Sequence, residues 1–94
     1  MKKDIFWFKK HIAPALQGFE IEYSFHGQGD FGNLNRVEIE GRGKGGNVDF
    51  WEKGWLEIHL FDYQTNEELI HILLEPNQTL DKDKYLKTFK TLLK

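Results

Sequence analysis

The stretch FEIEYSF at residues 19–25 sets apolar and polar side chains strictly in turn, and three later segments continue the pattern. These segments are RVEIE at 36–40, NVDFW at 47–51 and WLEIHLF at 55–61. A repeat of two residues buries one set of side chains and leaves the other set on the opposite face of a sheet. The alternation therefore predicts four strands, near residues 19–26, 34–42, 46–52 and 55–62.

Short links join the predicted strands, and they are rich in glycine: GQGDFG at 27–32, GRGKGG at 41–46 and EKG at 52–54. Parallel pairing needs a crossover of a dozen or more residues, so links of this length indicate antiparallel hairpins. The apolar run at 67–75 fits either a strand or a short helix, and its length favours a strand. The sheet is thus predicted to be a meander of four or five strands.

Amphipathic segments at both ends of the chain predict helices over residues 4–17 and 81–93. Asp4 and Asp81 are candidate N-caps, because a carboxylate can accept hydrogen bonds from the first free amides of a helix. Pro14 is expected to kink the first helix or to split off its last turn, since proline lacks the amide N–H.

One domain over residues 1–94 follows from these elements. Its predicted class is α+β, with an antiparallel four- to five-stranded meander over residues 19–75 and the N- and C-terminal helices packed on one face. Gly18 is expected to end the first helix in a left-handed conformation before the sheet begins.

Composition and charge restrict the function. The 94 residues include no cysteine and carry a net charge of −2. Disulfides, cysteine-based zinc sites and a thiol nucleophile are therefore excluded, and there is no overall basic field for nucleic acid. The N-terminal apolar run at 5–8 is shorter than the roughly 7–15 residues of a signal-peptide core. We expect a cytoplasmic protein that contacts neither membrane nor nucleic acid directly.

Three features of the sequence suggest other chemistry. The letters of GQGDFG match the dinucleotide-binding fingerprint, but a strand follows where the phosphate site needs a helix, so we predict no cofactor. Arg42 and Lys44 in the next glycine-rich link leave a nucleic-acid-binding module open as an alternative.

His59 and Glu57 share the predicted polar face, which leaves a small acid–base enzyme as a second alternative. His71 is expected in a buried or half-buried strand, and the histidines lack the close pairwise spacing of a metal motif.

The polar face of the predicted sheet is mainly acidic, and aromatic residues flank the acids. Like charges on neighbouring strands repel, and aromatic residues beside charges are typical of protein-binding hot spots. The alternative is a solvated face whose aromatic residues are covered by a loop. We predict a partner-binding surface formed by Glu20, Glu22, Glu38, Glu40, Asp49, Trp51, Trp55, Glu57 and His59.

The run FGxLxRVEIEG at 31–41, continued by GKGGxVDFW at 43–51, resembles the small immunity proteins of bacterial toxin systems, in particular those of contact-dependent growth inhibition. The likeness covers roughly residues 18–76. It implies a cytosolic protein without catalytic residues or cofactor, which binds one cognate toxin domain and blocks its active site. Such toxins are often nucleases with basic clefts.

Overall fold

Residues 3–93 form five β-strands and two α-helices in this computed structural model, which describes that part of the chain. All neighbouring strands pair antiparallel, in the order β1-β2-β3-β4-β5. The predicted α+β meander with a helix at each end is confirmed, and the ambiguous segment at 67–75 is a strand. The elements are α1 (Ile5–His11), a 3₁₀ turn (Ala13–Ala15), β1 (Glu20–Gly29), β2 (Gly32–Gly41), β3 (Lys44–Trp51), β4 (Leu56–Asp62), β5 (Glu67–Leu74) and α2 (Thr79–Leu92).

The core lies between one side of the sheet and the two helices. Val37, Val48 and Ile58 are register partners on three successive strands, and all three are fully buried. The helices contribute Phe8 and Phe89 to the same cluster, each with no exposed surface. The apolar set of the alternating segments therefore faces the helices, as a period of two requires.

The N-terminal helix follows the sequence signals closely. The Asp4 carboxylate accepts a hydrogen bond from the Trp7 amide at 2.9 Å, which caps α1. Pro14 lies in the 3₁₀ turn that follows, so the predicted helix over 4–17 is split near its end. Gly18 then takes a positive φ of 86°, a conformation that favours glycine.

The C-terminal helix starts two residues before the predicted Asp81 cap. It begins at Thr79, and Gln78 occupies the N-cap position without capping through its side chain. That side chain instead accepts from the Glu75 amide at 2.7 Å and donates to the Asp81 carboxylate at 3.1 Å. Asp81 is therefore a first-turn residue whose partner is the Gln78 amide group, and the predicted cap was wrong.

Two of the three glycine-rich links are shorter than predicted, because strands extend into them. Only Arg42 and Gly43 separate β2 from β3, with φ angles of 51° and 76°. Two successive positive φ angles are those of a type I′ turn, which matches the twist of a hairpin. The link therefore forms a tight turn.

Candidate partner-binding face of the sheet

The side of the sheet that faces away from the helices, here called the outer face, carries the polar set of the alternating segments. Its side chains run in rows across the five strands, because register partners point to the same side. The central rows are Glu22–Glu38–Asn47–His59–His71 and Ser24–Arg36–Asp49–Glu57–Leu73.

Four glutamates form two directly opposed pairs on β1 and β2 of the outer face. Glu20 is the register partner of Glu40, and Glu22 is the partner of Glu38. All four are exposed, and no lysine or arginine among residues 3–93 forms an ion pair with any of them. We call these four residues the glutamate ladder. Directly opposed like charges cost about 0.2–1 kcal/mol per pair, so the free protein holds this arrangement against electrostatic repulsion.

Asp49 belongs to the outer face by register but is not available to a partner. Its side chain is fully buried, and Arg36 donates to both carboxylate oxygens, from Nε at 2.8 Å and from Nη2 at 2.9 Å. The hydrogen bond to Asp49 raises the pKa of Arg36, against burial, and the charges of Asp49, Glu38 and Glu57 raise it further. The predicted contact through Asp49 is therefore corrected, because the partly exposed Arg36 covers it.

Two histidines and two glutamates meet on β4 and β5, at the other side of the outer face. His59 and His71 are register partners whose rings lie 4.8 Å apart. Glu68 approaches both, with an oxygen 2.9 Å from His71 Nδ1 and another 3.9 Å from His59 Nε2. Glu57 places an oxygen 3.9 Å from His71 Nε2. We call Glu57, His59, Glu68 and His71 the histidine cluster.

Sequence reasoning found only half of this cluster. His71 was expected to be buried or half-buried, but 54% of its side chain is exposed. His71 is the register partner of His59 only because of a β-bulge. Asp62 pairs with Glu67 at the turn, and an unbroken register would pair His59 with Ile70. Glu68 could not be found by alternation, because a β-bulge changes its face.

Trp51 and Trp55 are held at the end of the sheet and are half-buried. Trp55 lies just before β4, where its ring stacks on Phe31 at 4.2 Å, and Phe31 meets Trp51 edge-on at 5.4 Å. Phe31 comes from the β1–β2 turn, so a loop covers part of both rings. The two tryptophans line a cavity of about 480 Å³ away from the glutamate ladder. A loop that covers these aromatic residues is the alternative that the sequence left open, so neither tryptophan is fully available to a partner.

A shallow depression connects the two halves of the outer face. It has a volume of about 400 Å³, and Arg36, Glu38, Glu57, His59 and Tyr63 are among the side chains that line it. A protruding side chain of a partner could enter it and meet both carboxylates and the Arg36 guanidinium. Of the nine predicted site residues, Glu38, Glu57 and His59 are thus brought together around one concave surface.

The positions of His59, Glu57 and Arg42 concern the two alternative functions that the sequence left open, an acid–base enzyme and a nucleic-acid-binding module. The carboxylate nearest to His59 is that of Glu68 at 3.9 Å, while Glu57 approaches His71, so the expected His59–Glu57 pair is not formed. In the tight turn, the Arg42 guanidinium lies over the Phe19 ring at 5.6 Å. This contact engages the Arg42 guanidinium with an aromatic ring, while the residue stays exposed.

No family model, curated protein or solved structure matches the chain. Within residues 3–93, neither helix has the length and the hydrophobicity that crossing a membrane requires.

Proposed function

We propose that the chain is a binding protein of the immunity type, which neutralises a toxin domain by placing its outer face against a basic cleft. The observation that carries the proposal is the glutamate ladder, with its opposed and exposed carboxylates on an open sheet face. The toxin class that fits is a nuclease, because its cleft is built to hold phosphates. The protein would act in the cytoplasm, where such a toxin meets nucleic acid, and it would need no catalytic residue.

The carboxylates of the glutamate ladder repel one another in the free protein, but they would attract a positively charged partner. Neighbouring strands lie about 4.8 Å apart, so the carboxylates of the two strands form a compact negative patch. A cationic cleft would replace the repulsion within this patch by attraction. Complementary charge can also raise association rates toward 10⁸–10⁹ M⁻¹s⁻¹ at low salt, which suits an inhibitor that must act before damage occurs.

The depression on the outer face adds shape complementarity to the electrostatic attraction. Glu38 belongs to both the glutamate ladder and the depression, so a partner lysine or arginine could contact both. The resemblance of residues 31–51 to immunity proteins supports the proposal that the outer face binds the toxin, because this stretch contains β2 and β3 at the centre of the face.

The test is the association rate with the cognate toxin domain, measured by stopped flow over a salt series. Glu38→Lys with Glu40→Lys should slow association by about tenfold or more at low salt, because the variant reverses half of the ladder. The matched control is Glu67→Lys with Glu75→Lys, which changes the net charge equally at exposed positions outside the ladder. Equal slowing by both variants, or a wild-type rate that does not depend on salt, would contradict the proposal.

A further inference from the structure

Three side chains of the histidine cluster bring metal-ligating atoms to one place on the outer face. One ligand atom from each of His59, Glu68 and His71 lies within 4.8 Å of the other two. Zinc binds imidazole nitrogen and carboxylate oxygen at about 2.0–2.2 Å, which separates the ligand atoms of a tetrahedral site by about 3.4 Å. Because His71 and Glu68 are half exposed, side-chain rotation can close the remaining gap without moving the strands.

A β-bulge places the carboxylate in this set. Strand pairing passes from Leu60 with Ile70 to Phe61 with Glu68, so Leu69 is an extra residue in β5. In a regular strand, Glu68 would point to the same side as Ile70, which is in the core. The bulge turns Glu68 to the outer face while Leu69 packs against the core. The convergence of the three ligands therefore depends on the backbone as well as on composition.

We infer that His59, His71 and Glu68 form a binding site for a divalent transition metal, with Zn²⁺ as its occupant. Two imidazoles and one carboxylate are a donor set that suits Zn²⁺, whereas Mg²⁺ and Ca²⁺ prefer oxygen ligands only. Three protein ligands leave a fourth position for water or for a side chain of a partner. Glu57 stands 3.9 Å from His71 Nε2, where it can orient that ring.

The inference does not depend on the proposed function, because it concerns the free protein and a metal ion alone. Untagged wild-type protein should bind one Zn²⁺ per chain in isothermal titration calorimetry, and Co²⁺ should give the visible absorption of a four-coordinate site. His59→Gln and His71→Gln should each weaken Zn²⁺ binding by at least about tenfold, and Glu68→Gln should weaken it measurably. Mg²⁺ should not compete.

The matched controls are His11→Gln and His26→Gln, which remove exposed histidines outside the cluster. Both should bind Zn²⁺ as the wild type does. Imidazole NMR signals provide a second measurement that needs no variant: Zn²⁺ should shift the signals of His59 and His71 and leave those of His11 and His26 unchanged. A dissociation constant above about 1 mM would overturn the inference. Binding that survives in the His59→Gln/His71→Gln variant would also overturn it, as would an equal loss in the controls.

Discussion

At the scale of single residues, the pair of Arg36 and Asp49 is asymmetric, because only one partner is fully buried. The Asp49 side chain has no exposed surface, whereas 37% of the Arg36 side chain is exposed. Removing the guanidinium would leave the Asp49 carboxylate buried without a partner. Removing the carboxylate would leave a guanidinium that already reaches water. The two single substitutions should therefore differ in cost.

Arg36→Met should lower the free energy of unfolding by about 3–5 kcal/mol, the usual cost of leaving a buried charge unpaired. Asp49→Leu should cost less, and the double variant should lose less than the sum of the two single losses. Urea denaturation of the three variants measures this. An Asp49→Leu loss equal to that of Arg36→Met would contradict the asymmetry.

Lys82 is a second residue whose environment differs from that of an ordinary surface lysine. Only 9% of it is exposed, and Nζ donates to the carbonyl oxygens of Gly54 at 2.6 Å and Pro76 at 3.1 Å. These bonds fix α2 to the loops that precede β4 and follow β5. Burial lowers the pKa of Lys82 below its ordinary value of 10.5.

This shift predicts a pH dependence with a definite sign. Between the lowered native pKa and 10.5, the unfolded chain binds more protons at Lys82 than the native chain does. Stability from this group therefore rises with pH in that interval. The free energy of unfolding of wild type minus that of Lys82→Met should increase as the pH approaches 10.5. Denaturant titrations at several pH values measure this difference, and a flat or falling difference would contradict the prediction.

The sequence allowed prediction of which side of the sheet most residues occupy, but not of how deeply each is buried. Alternation places Asp49 and Glu38 on the same face, yet one is buried and the other exposed. The difference arises from Arg36, which reaches Asp49 across the β2–β3 pair from thirteen residues away. Such a contact depends on strand register, which a single sequence specifies only weakly.

At the scale of elements, the existence of the strands could be predicted but their ends could not. Gly45 and Gly46 resemble turn residues, although both lie in β3. A Cβ at Gly45 would overlap the Tyr63 hydroxyl, and one at Gly46 would overlap the His59 carbonyl. These glycines allow close approach of the neighbouring strand and residue 63. Composition does not distinguish that use from a turn.

The β5 bulge shows a similar limit. Alternation from Ile70 places Glu68 on the core side, whereas the extra residue Leu69 turns it outward. A bulge inserts one residue into one strand only, so no count along that strand reveals it. The predicted site could therefore include His59 but neither Glu68 nor His71, which meet only after the strands pair.

At the scale of the whole molecule, charge is distributed unevenly over a chain whose net charge is only −2. The glutamate ladder concentrates carboxylates on β1 and β2, while lysines of α2 lie on the other side of the sheet. This separation gives the molecule an acidic face even though its total charge is small. Local potential, and not net charge, governs how a charged partner would approach.

The same separation predicts a conflict between stability and binding. Glu22→Gln should raise the free energy of unfolding by about 0.2–1 kcal/mol at low salt, because it removes the repulsion with Glu38, its register partner. The gain should shrink at high salt, where exposed charges are screened. Glu75→Gln, an exposed change outside the ladder, is the control and should have little effect. Urea denaturation at two salt concentrations measures both, and a loss of stability in Glu22→Gln would contradict the prediction.

The strand order has a consequence for folding kinetics. Each strand pairs with the one before it in the chain, so every hairpin can form as soon as its second strand is available. Loops between partners are short, which keeps the entropy of closure small and favours rapid folding. The contact between the two ends, where Lys90 Nζ donates to the His11 carbonyl across 79 residues, requires the whole chain. During synthesis the sheet can therefore assemble strand by strand, and the joining of the two helices completes the fold.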